Sequence, residues 1–250
     1  MASTFDLNYQ DIKENTPEVV ILPWGATEAH NYHLPYSTDV TEAFMVADRA
    51  TDLANLSGAK TVCLPPIPFG ANAQQLDQYI TISFSVETIY KILLDVVFSL
   101  TRQGIKKLVI FNFHGGNEFK PFIRDLMGKH DIFILLIDAF SMLPIDVKEI
   151  FDESGDHAGE LETSLMLYLR EKSVRLEHAG EGKRNKYKLS SLSEKGVWTP
   201  RPWSKVHPDT GSGNPALATV KKGEQYFNKL SEATAKILLE VSETDYKQLP

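Results

Sequence analysis

One short segment, residues 107–113, constrains the fold more than any other part of the sequence. It reads Lys-Leu-Val-Ile-Phe-Asn-Phe and is almost entirely apolar. Alternate residues of a strand point to opposite faces, so an apolar run of this kind must be covered on both sides. Such strands are typical of parallel sheets that carry helices on both faces. The segment therefore predicts a buried strand of an α/β fold.

Apolar runs and helical patterns alternate along the rest of the chain. Strands are predicted at residues 18–23, 60–64, 107–113 and 131–137, and helices at residues 41–55, 86–103, 118–129, 160–170 and 217–240. Gly104 is expected to cap the second of these helices. The alternation favours an α/β sandwich with a mainly parallel sheet. A length of 250 residues suits one hydrophobic core, so residues 1–250 are predicted to form a single domain.

The composition restricts the partners and the compartment. The formal net charge is −7, which makes the chain a poor partner for nucleic acid and favours a small neutral or metal-bound substrate. No stretch has the ~18 apolar residues of a membrane span, and the polar N-terminal segment lacks the apolar core of a signal peptide. The single cysteine, Cys63, lies in an apolar run and is predicted to be a buried core residue. A cytoplasmic protein without membrane or nucleic-acid partners is expected.

The segment from Gly180 to Pro215 interrupts the alternation of strands and helices. It is rich in proline and glycine and contains Trp198, Trp203 and His207. Long irregular segments inside a compact domain are usually functional. These three side chains are expected either to line the substrate pocket or to form an oligomer interface, where tryptophan is also enriched.

Three segments bring metal-ligand types of side chain to the carboxyl ends of predicted strands, where ligands bind in open α/β sheets. The first contains Glu28, His30 and Asp39. Taken alone, Asp39 could be an ordinary helix N-cap, and His30 or the nearby His33 a structural histidine. Combined with the histidines that follow the later strands, the set provides oxygen and nitrogen ligands suited to Zn²⁺ or Mn²⁺.

The second segment is His114-Gly115-Gly116-Asn117. The glycines allow the backbone to turn tightly and approach a ligand, and Asn117 is expected to cap the next helix. A plain strand–turn–helix junction would explain the glycines and Asn117, but it leaves His114 without a role.

The third segment runs from Asp156 to Ser164 and places His157 near Glu160 and Glu162. A histidine in this setting could transfer a proton to a departing nitrogen. The two glutamates also lie in the first turn of a predicted helix, where acidic residues are common because of the helix dipole. The residues alone leave both interpretations open.

Together these motifs resemble the creatininase (creatinine amidohydrolase) family. Residues 25–39 resemble its G-x-x-E-x-H-G-x-H-L-P…T-D segment, residues 114–117 its H-G-G-N and residues 157–164 its H-A-G-x-x-E-T-S, with a weaker match over residues 211–223. The resemblance implies a three-layer α/β/α sandwich that often assembles as a hexamer. It also implies a centre of two divalent ions, Zn²⁺ with Mn²⁺ or Fe²⁺ possible at one site, which activate a water molecule.

The resemblance also implies a role for each site residue. Asp39 bridges the ions, Glu28 and His114 hold one ion, and His30 holds the other. Creatininase has a glutamate ligand at the position of Gly116, so Glu162 is the candidate for the missing ligand, with Glu160 as the alternative. His157 is expected to transfer protons, and His157 and Glu162 are the expected catalytic residues.

Departures from the family pattern concern the substrate. Residues 70–75 and 79–81 replace the usual G-x-S-x-E-H and F-P-G-T of a loop on the substrate side, and Asn31 replaces a glycine. Creatininase flanks creatinine with tryptophans in loops before the H-x-G segment, whereas none lies between Ile137 and Gly155 here, so creatinine is not the expected substrate. We expect hydrolysis of a C–N bond in a cyclic amide, a formamide or a related small molecule. The alternative is a catalytically impaired metal-binding or ligand-sensing protein. A nucleotide-dependent enzyme is disfavoured because the Gly115-Gly116 pair is not a phosphate-binding loop.

Overall fold

The computed structural model describes residues 3–153 and 155–249, and its centre is a parallel sheet of four strands. The strands are β1 (Val19–Trp24), β2 (Thr61–Cys63), β3 (Lys107–Asn112) and β4 (Phe133–Asp138), in the order β2-β1-β3-β4. Val19 lies opposite Thr61 on one side and Lys107 on the other. The four predicted strands and the parallel sheet are confirmed.

Eight α-helices surround this sheet in the described part of the chain. They are α1 (Tyr9–Glu14), α2 (Thr38–Leu56), α3 (Val86–Arg102), α4 (Lys120–Lys129), α5 (Pro144–Ile150), α6 (Glu160–Arg170), α7 (Trp203–Val206) and α8 (Val220–Glu243). The five predicted helices correspond to α2, α3, α4, α6 and α8. Gly104 follows the end of α3 with φ +80°, which is the left-handed conformation expected of a helix-terminating glycine.

The side chains of β3 show why the fold has three layers. Val109 and Phe111 pack into a core with α2, α6 and α8, whereas Leu108 and Ile110 pack into a second core with α3 and α4. All four are fully buried, as an apolar strand covered on both faces requires. The predicted α/β/α sandwich is confirmed. In the part of the chain that the structure describes, no helix combines the length and the apolar character that crossing a bilayer requires.

Two helix starts differ from the prediction in ways that affect the site. Helix α2 begins at Thr38 with Ser37 as its N-cap, so Asp39 lies in the first turn and is not the cap. Helix α4 begins at Lys120 without a side-chain cap, so the predicted capping role of Asn117 is wrong. The Asn117 side chain instead donates to Asn112 Oδ1 at 3.0 Å and accepts the Ala71 amide at 3.1 Å. Asn117 therefore joins two loops at the carboxyl end of the sheet.

Candidate metal centre

The candidate ligands come from four places that meet beyond the carboxyl ends of β1 and β3. Glu28 and His30 lie on the loop after β1, Asp39 on the first turn of α2, His114 just after β3, and Glu162 on the first turn of α6. All five are at most 3% exposed. The structure thus brings together every residue that the sequence motifs nominated as a metal ligand.

Asp39 lies between two groups of possible ligands. Its Oδ1 is 2.7 Å from His30 Nε2, and its Oδ2 is 3.0 Å from His114 Nδ1. One group is Glu28, Asp39 and His114, and the other is His30, Asp39 and Glu162; within each group the ligand atoms lie within 4.8 Å of one another. One carboxylate shared by two such triplets is the arrangement that a centre of two ions needs.

Glu160 and Glu162 have different surroundings, although both lie on the first turn of α6. Glu160 accepts the backbone amides of Asp152 and Glu153 at 2.9 and 2.7 Å and pairs with Lys222. Glu162 accepts the Ala158 amide through Oε2 and places Oε1 3.6 Å from His30 Nε2. Glu160 is therefore occupied by a structural network, and Glu162 is the carboxylate that faces the cluster.

The geometry at His30 fits a cation better than it fits a hydrogen bond. His30 Nδ1 is 3.1 Å from the Glu28 carbonyl, which suits donation and leaves Nε2 with a lone pair. Nε2 and Asp39 Oδ1 are buried and close, yet neither has a partner in hydrogen-bonding geometry. Buried polar atoms without a partner are rare and call for an explanation. Two donor atoms converging on a common point are what a bound metal ion would satisfy.

The charges of the cluster support the same conclusion. Burial opposes the charged form of both histidines, but the Asp39 and Glu162 carboxylates hold the pKa of His30 well above its usual value. Glu28 and Asp39 likewise raise the pKa of His114 to about 10. Despite its burial, Asp39 has a pKa below its ordinary value because of these histidines. The carboxylates thus stabilise nearby positive charge, and metal ions can supply that charge in place of the protons on the histidines.

Two glycines allow the His114 ring to lie where it does. A Cβ atom on Gly70 would lie 2.7 Å from His114 Cδ2, and one on Gly116 would lie 2.5 Å from His114 Nε2. Real Cβ contacts are almost never closer than 3.0 Å. A side chain at position 116, such as the glutamate of creatininase, therefore does not fit against this ring. Glu162 is the further carboxylate that lies beside His30 and Asp39 in the second triplet.

His157 lies at the edge of the cluster with a defined orientation. Its Nε2 is 2.8 Å from the Ala29 carbonyl, so it is the nitrogen that carries the proton in the neutral ring. Its Nδ1 is 3.5 Å from Glu28 Oε1. The ring lies against His30 and, edge to face, against Trp203, with centroids 4.1 and 5.0 Å apart. Glu28, His30 and His157 also form a third possible ligand triplet, so the geometry permits either a proton carrier or a ligand.

His33 and Asn31 are structural. His33 Nε2 is 2.8 Å from Thr163 Oγ1, and burial together with the nearby His30 lowers the pKa of His33 to about 4. Asn31 has a φ of 51°, a left-handed conformation that asparagine tolerates better than most residues. Its side chain exchanges hydrogen bonds with the backbone of Gly180 at 2.9 and 3.1 Å. The asparagine thus replaces a glycine and also anchors the start of the irregular segment.

A cavity of about 320 Å³ opens onto the cluster. Its wall includes Glu28, His114 and His157 together with Trp198 and Trp203. The two tryptophans, which were expected either in a pocket or at an interface, therefore line the cavity of their own chain. Trp203 is 2% exposed, whereas Trp198 is 82% exposed and remains available for a further contact.

His207 does not line this cavity. It is fully buried behind Trp203, with ring centroids 4.4 Å apart. Burial and the positive charge of Arg201 lower its pKa to about 4, so the ring is neutral near pH 7 and supports Trp203.

A second cavity, of about 490 Å³, is lined by Phe140 and Phe151 and also reaches His157 and Glu162.

The irregular segment is fastened beside the cavity by Asp156. This carboxylate is 2.7 Å from Arg184 Nη2 and 3.1 Å from Arg201 Nη1, and it accepts a hydrogen bond from Ser212 Oγ at 2.5 Å. Arg201 also lies over the Trp203 ring, 4.8 Å from its centroid. Charge-assisted bonds of this type hold planar groups in fixed orientations, so Trp203 is held against His157.

Glu42 is a further buried carboxyl group beside the cluster, one turn after Asp39 on α2. It is 0% exposed, and neither of its oxygens has a hydrogen-bond partner among the described residues. Burial and the negative charges of Glu162 and Asp39 raise its pKa well above the usual value, although His30 opposes this. In metal-free protein these surroundings therefore favour the neutral acid over the carboxylate.

Glu42→Gln is expected to stabilise the metal-free protein as the pH rises. The unfolded carboxyl ionises near 4.5, while the folded one keeps its proton to higher pH. The wild type thus loses stability above that pH by up to about 1.4 kcal/mol per pH unit, and the glutamine variant lacks this loss. Urea unfolding with chelator at pH 5.5 and 7.5 should show that the stability advantage of the variant over the wild type increases with pH.

Glu232→Gln, on the exposed side of α8, is the control for this experiment and should leave the pH dependence unchanged. Parallel pH profiles for wild type and Glu42→Gln would contradict the neutral form of Glu42.

Sequence reasoning missed two polar residues of the site. Glu42 was signalled only by its spacing, since residues three apart on a helix share a face. Gln75 is 1% exposed and donates from Nε2 to Glu28 Oε2 at 2.6 Å. It belongs to the loop whose sequence departs from the family pattern, and no local feature of that loop points to a partner 47 positions away.

A family model, a relative of known name and two solved structures are similar to this chain over most of its length. The model of the creatininase family, described as creatinine amidohydrolase, matches residues 6–238. A mycofactocin precursor peptide peptidase from Mycobacterium ulcerans is 28% identical over 225 residues, which cover 84% of this chain and 80% of that protein.

Two solved structures share the fold over nearly the whole chain. A Bacteroides fragilis protein, provisionally named a creatinine amidohydrolase, is 39% identical with a TM-score of 0.92, covering 98% of this chain and 97% of its own. A creatininase mutant described as the Zn–Zn type has a TM-score of 0.79 at 22% identity, covering 97% and 98% of the two chains.

Proposed function

Because this chain belongs to the creatinine amidohydrolase (creatininase) family, we propose that it is a metal-dependent amidohydrolase that cleaves a C–N bond of a small molecule with water. The resemblance in the sequence motifs is confirmed by the family match. The proposed substrate is a cyclic amide, a formamide or a related compound other than creatinine. The observation that carries the proposal is the buried Asp39, which is shared by two ligand triplets beside a cavity.

The proposed metal centre consists of two divalent ions. Glu28, Asp39 and His114 would hold one ion, and His30, Asp39 and Glu162 the other. Three carboxylates and two histidines form a ligand set suited to Zn²⁺, with Mn²⁺ or Fe²⁺ possible at one position. When bound, such ions polarise the carbonyl of an amide and make water acidic enough to attack it near neutral pH.

His157 is the proposed proton carrier of the reaction. Because Nε2 donates to the Ala29 carbonyl, Nδ1 is the nitrogen that can accept a proton beside Glu28 and return it to the departing nitrogen. Trp203 covers the ring and keeps its orientation fixed. Glu162 is proposed to contribute to catalysis as a ligand, with its second oxygen held by the Ala158 amide.

The size and wall of the cavity support a small substrate. A volume of about 320 Å³ lies at the lower end of the range for ligand pockets. Trp198 and Trp203 offer flat apolar surfaces, and Arg201 adds a polar group. Phe140 and Phe151, the aromatics that stand in the region where creatininase has a tryptophan, line the other cavity. This difference supports a substrate other than creatinine.

A peptide bond is the second candidate for the scissile bond. It is favoured by the M. ulcerans relative, which is named as a peptidase and aligns over 84% of this chain. A peptide would place one or two residues in the cavity and the remainder along its rim, beside the exposed Trp198.

We further propose a cytoplasmic homo-oligomer, with a hexamer as the expected form. Exposed aromatic and aliphatic side chains support self-association: Trp198 is 82%, Tyr79 91% and Ile80 72% exposed. Exposed apolar patches of this kind often mark interfaces between proteins. Light scattering coupled to size-exclusion chromatography measures the assembly directly, and a monomer would contradict this proposal.

The proposed activity can be tested with a substrate panel and controlled metal content. Purified protein is stripped with chelator, reloaded with Zn²⁺ or Mn²⁺, and assayed on lactams, N-formyl compounds, cyclic ureides, creatinine and short peptides. We expect hydrolysis of at least one small amide other than creatinine, lost with chelator and restored by metal. Cleavage of peptides alone would favour the second candidate.

Bound metal without turnover of any compound would overturn the proposed activity and favour the alternative of a catalytically impaired, ligand-sensing member of the family. Turnover that survives complete removal of metal would contradict the role of the ions.

A further inference from the structure

The side chain of Gln75 is hydrogen-bonded to one of the two oxygens of the Glu28 carboxylate. Gln75 lies in the short 3₁₀ turn Ala73–Gln75, at the bottom of the loop that follows β2. Its Nε2 donates to Glu28 Oε2 at 2.6 Å, and both residues are 1% exposed. Only the NH₂ end of an amide can face an ionised carboxylate, so the orientation of the Gln75 side chain is fixed by its partner.

The two oxygens of Glu28 consequently have separate partners. Oε1 faces His114 Nδ1 at 3.3 Å and His157 Nδ1 at 3.5 Å. Oε2 accepts the hydrogen bond from Gln75 Nε2. Glu28 therefore presents a single oxygen to the cluster, and a rotation that would present both is opposed by the hydrogen bond to Gln75.

The amide oxygen of Gln75 argues against a role in which this side chain only fills space in the core. Its Oε1 is buried and has no hydrogen-bond partner among the described residues. A buried carbonyl oxygen without a partner is unfavourable, and an apolar side chain of similar size would avoid that penalty. The contact with Glu28 is the one polar interaction that the structure gives the Gln75 side chain, so the function of the residue is expected to be exerted through Glu28.

We propose that Gln75 is a positioning residue, which holds Glu28 as a one-oxygen ligand and thereby sets the metal affinity of the Glu28–Asp39–His114 site. This inference rests on the metal centre proposed above. Hydrogen bonds to ligating side chains fix their orientation and typically change metal affinity by roughly 10–100-fold when removed. The effect is selective, because Gln75 has no hydrogen bond to His30 or Glu162 in the described structure.

The test uses Zn²⁺ titration of the protein against a competing chelator, which gives the affinity of the protein for each ion. Gln75→Leu is expected to lower the affinity for one ion roughly 10–100-fold and to leave the affinity for the other within about twofold. The reason is that only one of the two proposed sites contains Glu28. Anomalous diffraction from the variant should show the loss beside Glu28. Gln78→Leu, three positions further along the same loop, is the matched control: its side chain is bonded to Asp77 and not to the cluster, so the variant should bind zinc as the wild type does.

Rescue separates positioning from folding. Gln75→His supplies a ring N–H of similar reach and should recover most of the affinity that Gln75→Leu loses. Equal affinities in wild type and Gln75→Leu would overturn this inference while leaving the metal centre intact. An equal loss of both ions in every Gln75 variant would overturn it too, as a sign of a merely structural role. A wild type that binds no Zn²⁺ would instead refute the proposed metal centre.

Discussion

Asp39→Asn is expected to remove both ions from the centre and to reduce hydrolysis to background. Asp39 contributes one oxygen to each ligand triplet, so the neutral amide weakens both sites at once. The loss of affinity should exceed the roughly 10–100-fold caused by removing a hydrogen bond outside the ligand set. Elemental analysis after dialysis measures the effect, and circular dichroism verifies that the variant is folded.

Asp52→Asn is the matched control for this change. Asp52 lies on the same helix, α2, at a partly exposed position away from the cluster. Its substitution removes the same charge and should leave metal content and activity at the wild-type level. Full occupancy of two ions in Asp39→Asn would show that Asp39 does not bridge the ions.

His157→Gln is expected to abolish turnover while leaving both ions bound. Glutamine can replace the hydrogen bond from His157 Nε2 to the Ala29 carbonyl, but it cannot accept and release a proton. General acid–base groups contribute typically 10²–10⁴-fold to the rate, so kcat should fall by about that factor. The measurement combines steady-state kinetics on a substrate from the panel with metal analysis.

The metal content of His157→Gln distinguishes the two roles that the geometry permits. His157 forms a possible ligand triplet with Glu28 and His30, so loss of an ion would identify it as a ligand and contradict the proton-carrier role. His178→Gln, at an exposed position, should change neither kcat nor metal content.

Most of the fold follows from local pattern in the sequence. The apolar run of β3 required cover on both faces, and Val109 and Phe111 indeed pack on the side opposite Leu108 and Ile110. Helix boundaries followed less directly from the pattern, because caps are decided by a few contacts. Asn117 looked like a cap from its position after two glycines, but the loop at Ala71 competes for its side chain.

Site residues that belong to local motifs could be predicted from the sequence. The role of a residue could not be predicted where it depends on a contact with a residue far along the chain. The gathering of Glu28, His30, Asp39 and His114 follows from their positions after parallel strands, whose carboxyl ends meet at one edge of the sheet. The choice between Glu160 and Glu162 could not be made from the first turn of α6. It depends on Lys222, which lies 62 positions further along the chain and pairs with Glu160.

The anomalous scattering of zinc in crystals of the metal-loaded protein tests the central claim most directly. Two peaks about 3.5–4 Å apart are predicted, one beside Glu28 and His114 and the other beside His30 and Glu162, with an oxygen of Asp39 on each. A single peak, or peaks that do not share Asp39, would contradict a two-ion centre at this position.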